Sequence, residues 1–352
     1  MMNIAIVGVG RWGVNHARVL TELTRSESGR ESNINIENIV AIDPSYERLK
    51  KVRSLGITRT YTSVDDALSS EKIDAAIIAV PTKYHYIVAK KLIPITNTFI
   101  EKPLAASLQE AKELVKLAKK SKMVVSVGHI ERYNPIVIAV KNKLKEISED
   151  IVHIFGLRIG PGPPTGSSGN LGVAHDLLVH DVDIANMFSQ NLPSWVLATT
   201  IYSHNYPYET EVNAIYGYKN DITASLRASW RTGPKLKKRL MSLQTDSYII
   251  TFDYISQSLS VERGLIEHRS PAEYVDVIAS YESRGMENIS LLSKKTEPLL
   301  LEIIDFLESV NKGREPIANL RNGYIALKCV LASLKAANRG LKVNIDWEND
   351  PI

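Results

Sequence analysis

The sequence predicts an α/β protein in which an N-terminal doubly wound parallel sheet precedes an α+β domain with a large open, mainly antiparallel sheet. Three observations carry this prediction. Short apolar runs alternate with helical periodicity over the first 130 residues, a glycine-rich turn follows the first run, and strand-like segments succeed one another after residue 150. Strands that alternate with helices are typical of a parallel sheet covered on both faces.

The first predicted domain spans residues 1–130. Its buried strands are expected at five runs rich in Ile and Val, namely Asn3–Gly8, Glu37–Asp43, Ile73–Val80, Thr96–Ile100 and Met123–Gly128. The clearest helical spacing covers Ser107–Ser121, where Ser107 followed by Glu110 forms a capping-box pattern.

The second predicted domain spans residues 131–352. Its strands are expected at segments dominated by Tyr, Thr, Val and Ile, namely Ile151–Ile159, Trp195–Asn205, Tyr208–Lys219, Asp221–Arg231, Arg239–Asp246, Ser247–Tyr254 and Ser256–Glu262. Helices are expected at Ala174–Ser189, Glu297–Lys312 and Asn322–Arg339. The last of these helices is a candidate to pack back on the first domain.

Composition excludes several classes of protein. A chain of 352 residues with 44% hydrophobic and 23% charged residues is ordinary for about two globular domains. No basic tract is longer than Lys235–Arg239, which argues against nucleic-acid binding. No apolar run approaches the roughly 18 residues of a membrane span. The single Cys329 and the lack of a basic leader favour a cytoplasmic protein.

The glycine-rich turn predicts a dinucleotide site in a Rossmann domain. Gly8, Gly10 and Gly13 form GxGxxG directly after the first strand and open a helix through Asn15–Leu23. In this context the glycines permit a tight turn, close approach of a pyrophosphate, and packing of helix on strand. The free N–H groups of the helix N-terminus favour the anion. By itself the motif also fits glycines that serve only a turn.

Asp43 strengthens the cofactor prediction. It ends the second strand, where an acid accepts hydrogen bonds from the adenosine ribose. It follows Gly13 by 30 residues, against about 20 in the usual fingerprint, and a surface insertion within Thr24–Asn35 accounts for the excess. Its charge favours NAD over NADP, although Arg48 lies nearby in the sequence.

Two further features are candidates for chemistry. Lys102 precedes Pro103 at the end of a predicted parallel strand. Ligands of open α/β sheets bind at such strand ends. An ordinary surface lysine before a turn would have the same sequence pattern. Asp176, His180 and Asp183 are spaced to share one helix face. Because the rest of this helix is largely apolar and therefore buried, its carboxylates and imidazole must have polar partners. A metal site formed with His175 is the alternative, but the sequence supplies no convincing ligand set, and no metal is expected.

The combined motifs resemble the Gfo/Idh/MocA oxidoreductase family over nearly the whole chain. The marks are GVGRWG at 8–13, AVPTKYH at 79–85, EKP at 101–103 and DLLVHDVD at 176–183. The resemblance implies Lys102, Asp176 and His180 as catalytic residues, a cis Pro103, and a homodimer or homotetramer assembled through the C-terminal sheet. It also implies a cofactor site formed by Gly8, Gly10, Arg11, Trp12, Gly13, Asp43, Val80, Thr82, His85, Glu101 and Lys102.

Three other segments are similar to the branch of the family that oxidises C3 of UDP-N-acetylglucosamine. They are GHIERYNP at 128–135, RIGP at 158–161 and WRT at 230–232. The similarity implies substrate binding by Arg132, Tyr133, Arg158, Asp176 and His180. The run Ile159–Ala174, whose PGPPTGSSGN segment looks like a flexible lid, contains no Lys or Arg to meet a diphosphate.

The predicted function is NAD-dependent hydride transfer from a secondary alcohol of a sugar. His180, whose ordinary pKa is near 6.5, is the natural general base, and Lys102 would stabilise the developing alkoxide. A free sugar or polyol such as inositol is the alternative substrate. A glycosidase that uses bound NAD for transient oxidation and a non-enzymatic NAD-binding regulator are the rival functions.

Overall fold

The computed structural model describes residues 1–25, 34–162, 171–233, 235–264, 285–291 and 296–352. Most of the predicted Thr24–Asn35 insertion and of the 161–170 lid therefore lies outside the described residues. Two sheets organise the described chain, as predicted: a parallel sheet of six strands and a mixed sheet of nine.

The parallel sheet has the order β3-β2-β1-β4-β5-β6. Its strands are β1 (Met2–Val7), β2 (Ile36–Ile42), β3 (Arg59–Tyr61), β4 (Ala75–Ile78), β5 (Asn97–Ile100) and β6 (Val125–Val127). The helices between and after them are α1 (Arg11–Arg25), α2 (Tyr46–Arg53), α3 (Val64–Ser70), α4 (His85–Leu92), α5 (Leu108–Ser121) and α6 (Pro135–Ile147). Strand β3, with the sequence RTY, contains no apolar run and is not among the predicted strands.

Helix α5 begins as its sequence predicts. The Ser107 side chain accepts from the Glu110 backbone N–H, and the Glu110 carboxylate accepts from that of Ser107. Two donors that a helix start leaves without a partner are thereby satisfied.

The mixed sheet has the order β14-β13-β12-β11-β7-β10-β9-β8-β15. Its strands are β7 (His153–Ile159), β8 (Pro193–Tyr202), β9 (Glu209–Tyr218), β10 (Thr223–Ser229), β11 (Lys238–Gln244), β12 (Tyr248–Asp253), β13 (Ser258–Arg263), β14 (Gly285–Ser290) and β15 (Val343–Asn344). Pairing is antiparallel except between β7 and β10, which run parallel. Strands β14 and β15 are additions to the seven predicted.

Helix α7 (Val179–Ser189) continues from a π-helical turn at Ala174–Leu178, so the predicted helix over 174–189 is irregular at its start. Helices α8 (Pro298–Lys312) and α9 (Leu320–Arg339) close the chain. The apolar side chains of β1 alternate between the two faces of the parallel sheet. Phe306 of α8 packs into the core on one face and Tyr324 of α9 into the core on the other, so residues far apart in the chain complete the first sheet.

Candidate active site at the junction of the two sheets

The turn after β1 has the geometry that an approaching pyrophosphate requires. Gly8 has a φ of +87°, and a Cβ there would lie 2.8 Å from the Ala79 carbonyl oxygen. A Cβ on Gly13 would lie 1.8 Å from the Gly8 carbonyl oxygen, whereas one on Gly10 would meet nothing within 4 Å. The outer glycines are therefore required by packing, and Gly10 leaves open space at the N-terminus of α1. This arrangement fits an NAD pyrophosphate.

Asp43 lies at the end of β2 and contacts the same turn. Its Oδ2 accepts from the Val9 N–H at 2.9 Å and its Oδ1 from the Ser45 N–H at 2.8 Å. The half-exposed Arg48 approaches Oδ2 to 3.5 Å. The buried carboxylate thus braces the glycine-rich turn, at the position expected for a ribose-binding acid.

The ends of β4 and β5 contribute the other cofactor candidates. Thr82 and His85 are buried, and the His85 ring nitrogens lie 2.9 Å from the carbonyl oxygens of Pro103 and Val80. Burial lowers the pKa of His85, and a neutral ring can donate only one of these bonds. Thr82, His85 and Val80 line a small cavity together with Trp12, Glu101 and Lys102.

Glu101 is held by a partner that sequence reasoning missed. His16 of α1 has a ring nitrogen 2.7 Å from the Glu101 Oε1. Burial opposes ionisation of Glu101, but the hydrogen bond with His16 and the nearby positive charge of Lys102 together outweigh it, so the pKa of the carboxyl is lowered. The pair joins the glycine-turn helix to the strand that presents Lys102.

Lys102 and Asp176 meet although 74 residues separate them. The Lys102 Nζ donates to the Asp176 Oδ1 at 2.9 Å and to the Asp176 carbonyl oxygen at 2.8 Å. Both side chains are largely buried, with 10% and 15% of their surfaces exposed. The Lys102–Pro103 peptide is cis, as the resemblance implies. The ammonium is therefore held against the turn that leads into α7.

His180 lines the same cleft as Lys102 and Asp176. Its Nδ1 is buried and has no hydrogen-bond partner among the described residues. Burial, followed by the charges of Lys102, Arg158 and Arg239, lowers the pKa of His180 well below its ordinary value. The imidazole is thus neutral at pH 7, with a lone pair that can accept a proton.

Asp183 is turned away from this cleft although its spacing predicts the same helix face. It accepts two hydrogen bonds of 2.7 Å from Arg132, and it lies 3.7 Å from His129. The π-helical turn at Ala174–Leu178 changes the angular relation between residues before and after it. In the described residues no group of three or more His, Cys, Asp or Glu side chains is placed to hold a metal ion.

The cleft has a volume of about 560 Å³ and lies between the glycine-rich turn and the mixed sheet. Its polar lining comes from both domains: Arg11, Lys102, Glu131, Asn134, Arg158, Asp176, His180, Lys237 and Arg239. Trp12, Ile130, Leu177 and Trp230 supply much of its apolar lining. Such a mixture suits a polar ligand held against an apolar wall.

Two of the three predicted substrate-binding residues of the GHIERYNP and RIGP motifs lie elsewhere. Arg132 is paired with Asp183, and it lines a separate cavity of about 240 Å³. Tyr133 is buried, and its hydroxyl donates to Asp305 at 2.8 Å. Both side chains are thus paired with acids of the later chain, and neither is among the residues that line the cleft.

Arg158 does line the cleft, but its donors are occupied. It is 1% exposed, and it donates two bonds to the Asp181 Oδ1, at 3.0 and 2.8 Å, and one of 2.8 Å to the Glu131 Oε1. Burial opposes the charges, yet Arg158 lowers the pKa of Glu131, and the two acids raise the pKa of Arg158. The guanidinium therefore supports the cleft wall.

Lys237 and Arg239 are cleft residues that sequence reasoning passed over. They belong to the Lys235–Arg239 tract, whose short length argues against nucleic-acid binding but does not by itself indicate a cleft. Their two-residue spacing beside a strand is the signal that could have identified them, since alternate residues face the same side. They supply the cations missing from Ile159–Ala174.

No helix in the described residues is long and apolar enough to cross a membrane.

The family model and the curated relatives that match this chain are all oxidoreductases. Residues 2–129 match the Gfo/Idh/MocA model, described as an oxidoreductase family with an NAD-binding Rossmann fold. Scyllo-inositol 2-dehydrogenase (NAD(+)) of Bacillus subtilis is 25% identical over 97% of this chain and 96% of its own. UDP-N-acetylglucosamine 3-dehydrogenase of Acidithiobacillus ferrooxidans is 24% identical over 88% of each chain.

Solved structures agree in fold. The crystal form of the Acidithiobacillus enzyme superposes with a TM-score of 0.78 at 23% identity, covering 96% of this chain and 98% of that one. Levoglucosan dehydrogenase in complex with NADH and L-sorbose gives 0.85 at 16% identity, covering 98% and 99%. Residues 2–129 thus match the NAD-binding Rossmann fold of the Gfo/Idh/MocA oxidoreductase family, and dehydrogenases that are 24–25% identical align with 88–97% of the chain.

Proposed function

We propose that this oxidoreductase oxidises a secondary alcohol of a sugar, with NAD⁺ as the hydride acceptor. The observation that carries the proposal is the fixed Lys102–Asp176 pair beside a neutral His180 in one cleft, next to the glycine-rich turn. Bound NAD⁺ would supply a nicotinamide carbon that accepts the hydride. Residues 1–130 would hold the cofactor and residues 131–352 the substrate.

His180 acts as the general base in this proposal. Because burial lowers its pKa, the ring is unprotonated and can accept the hydroxyl proton as the hydride leaves the same carbon. The alcohol would become a ketone, with its proton on a ring nitrogen of His180 and its hydride on the NAD⁺ that the proposal names.

Lys102 stabilises the developing alkoxide, and Asp176 orients Lys102. The Asp176 Oδ1 and carbonyl oxygen hold the ammonium in place before substrate binds. A donor fixed in this way loses little free energy to reorganisation in the transition state. Removal of such a donor typically slows the chemical step by about 10²–10³-fold.

The substrate we propose is a UDP-N-acetylhexosamine oxidised at C3. The 24%-identical UDP-N-acetylglucosamine 3-dehydrogenase supports this choice. The 25%-identical scyllo-inositol enzyme supports the alternative of a free polyol. A glycosidase of the same fold would release a sugar without net NADH.

The test compares wild type with Lys102→Ala and His180→Ala on a panel of UDP-sugars and free polyols, with NADH formation as the readout. Both variants should bind NAD⁺ normally and lose about 10²-fold or more in kcat. The exposed Lys83→Ala serves as the matched lysine control and should keep wild-type turnover. Near-normal kcat in either site variant removes that residue from catalysis, and hydrolysis without net NADH identifies the glycosidase.

We further propose that the outer face of the mixed sheet joins two copies of the chain. Leu197, Ile215 and Phe155 are each 41–42% exposed there. Strand register places them in one row, with Ser225 between Ile215 and Phe155. Leu197→Lys should shift the mass measured by light scattering toward the monomer, whereas a monomeric wild type excludes this interface.

A further inference from the structure

Three cations surround the mouth of the cleft without adequate counter-charges. Arg239 lies in β11 and Lys237 directly precedes that strand, and both line the cleft together with Arg11 of the glycine-rich turn. Lys237 and the Arg11 side chain form no hydrogen bond or ion pair with any residue that the structure describes. The carboxylate nearest to Arg239 is the Glu131 Oε1, at 3.7 Å.

The position of Arg239 is costly in the absence of an anion. In the antiparallel pairing of β11 with β7, Arg239 lies directly opposite Arg158. Like charges at directly opposed positions destabilise a sheet. Asp181 and Glu131 already accept hydrogen bonds from Arg158, so little negative charge remains for Arg239.

The charge of the whole cleft shows the same excess. Arg11, Lys102, Arg158, Lys237 and Arg239 line it, whereas its only acidic lining residues in the described chain are Glu131 and Asp176. The lining thus carries three net positive charges, and Asp181 behind Arg158 reduces the excess to two. A ligand with two negative charges would neutralise it.

We propose that Lys237 and Arg239 form a subsite for the diphosphate of the sugar substrate. The inference rests on the proposed function, and it identifies an anionic substrate in place of a neutral polyol. Arg239 provides a planar donor fork suited to a phosphoryl group, and Lys237 adds a mobile point charge. Both lie in the cleft that contains Lys102 and His180, so a sugar joined to the diphosphate would reach the catalytic groups.

The same phosphoryl chemistry could instead come from the cofactor, so the experiment measures the two ligands separately. UDP is titrated into full-length protein saturated with NAD⁺, and NADH binding is measured alone. We expect Lys237→Ala and Arg239→Gln each to weaken UDP binding about tenfold or more, the loss of one charge-assisted hydrogen bond. NADH affinity should change less than twofold.

Two controls separate this role from a structural one. Lys238→Ala removes a neighbouring exposed lysine that is not among the cleft residues, and it should leave UDP binding unchanged. Arg239→Lys keeps the charge and should recover part of the affinity. Uridine, which has no diphosphate, should bind the wild type and the variants alike.

The outcomes are distinct from those of the function test. Equal UDP affinity in wild type, Lys237→Ala and Arg239→Gln overturns the inference, and so does a loss of NADH affinity as large as that of UDP. An enzyme that oxidises free inositol and is not inhibited by UDP also overturns it, but leaves the dehydrogenase function intact. Binding of UDP through these cations, without NADH from any sugar, refutes the proposed function alone.

Discussion

Replacement of Arg158 by Met should destabilise the fold more than any loss of a surface ion pair. The guanidinium is buried and bonded to Asp181 and Glu131 by three hydrogen bonds of 2.8–3.0 Å. Met keeps most of the apolar volume but removes the paired cation of Asp181 and leaves Glu131 with Arg239 alone, at 3.7 Å. Removal of one partner from a buried ion pair costs about 3–5 kcal/mol of unfolding free energy.

Arg227→Met is the matched control. Arg227 lies on the adjacent strand β10 and contacts the Glu211 Oε2 at 3.2 Å, but 49% of its side chain is exposed. Exposed pairs of this kind contribute about 0–1 kcal/mol. Urea unfolding of wild type and both variants at pH 8 measures the difference.

The pH dependence provides an independent check. Burial already raises the pKa of Asp181 despite Arg158. Without Arg158, burial should raise the folded-state pKa of Asp181 further and that of Glu131 above its unfolded value. The carboxyls then take up protons more readily when folded, so the deficit of Arg158→Met should be smaller at pH 5 than at pH 8. Equal losses for Arg158→Met and Arg227→Met, or a deficit that grows as the pH falls, would refute this reasoning.

Three further predictions concern the cofactor turn and a buried histidine. Gly13→Ala places a Cβ 1.8 Å from the Gly8 carbonyl oxygen, so it should abolish NAD⁺ binding and lower Tm. Gly10→Ala places its Cβ in open space, so the Tm of that variant should equal the wild-type Tm. Asp43→Ala should shift the kcat/KM ratio from NAD⁺ toward NADP⁺, and an unchanged ratio would remove Asp43 from cofactor choice. Burial lowers the pKa of His175 to about 4. As the pH falls, His175 in the unfolded state takes up a proton before His175 in the folded state does. The wild type therefore loses stability between pH 6.5 and pH 4. His175→Gln removes this effect, so the unfolding free energy of the variant should fall by about 2 kcal/mol less than that of the wild type between pH 8 and pH 5.

Local sequence was sufficient to predict most strands and the glycine-rich turn. Isoleucine and valine runs predict buried strands because apolar side chains must leave water, and Gly8 and Gly13 are required by contacts within one turn. Strands β3 (RTY), β14 (GMENIS) and β15 (VN) were missed because none of them contains the run of Ile and Val that marks the predicted strands.

The catalytic candidates were visible in the sequence only as separate motifs. Lys102 and the Asp176–His180 helix each had an ordinary structural interpretation. Their contact at 2.9 Å depends on how the segments that carry the two sheets pack, and no spacing along the chain encodes it. For the same reason Arg132 and Tyr133, taken from the motifs as substrate contacts, bond instead to Asp183 and Asp305.

The sequence by itself determined the Rossmann half, the cofactor class and the chemical groups available, because these depend on local periodicity and on motifs of a few residues. Only the tertiary structure decided which groups share the cleft. The pairing of β11 with β7 places Arg239 opposite Arg158. Lys237 lines the same cleft. Electrostatic energy depends on distance in space, so the charge of the cleft became apparent only once the two sheets were placed together.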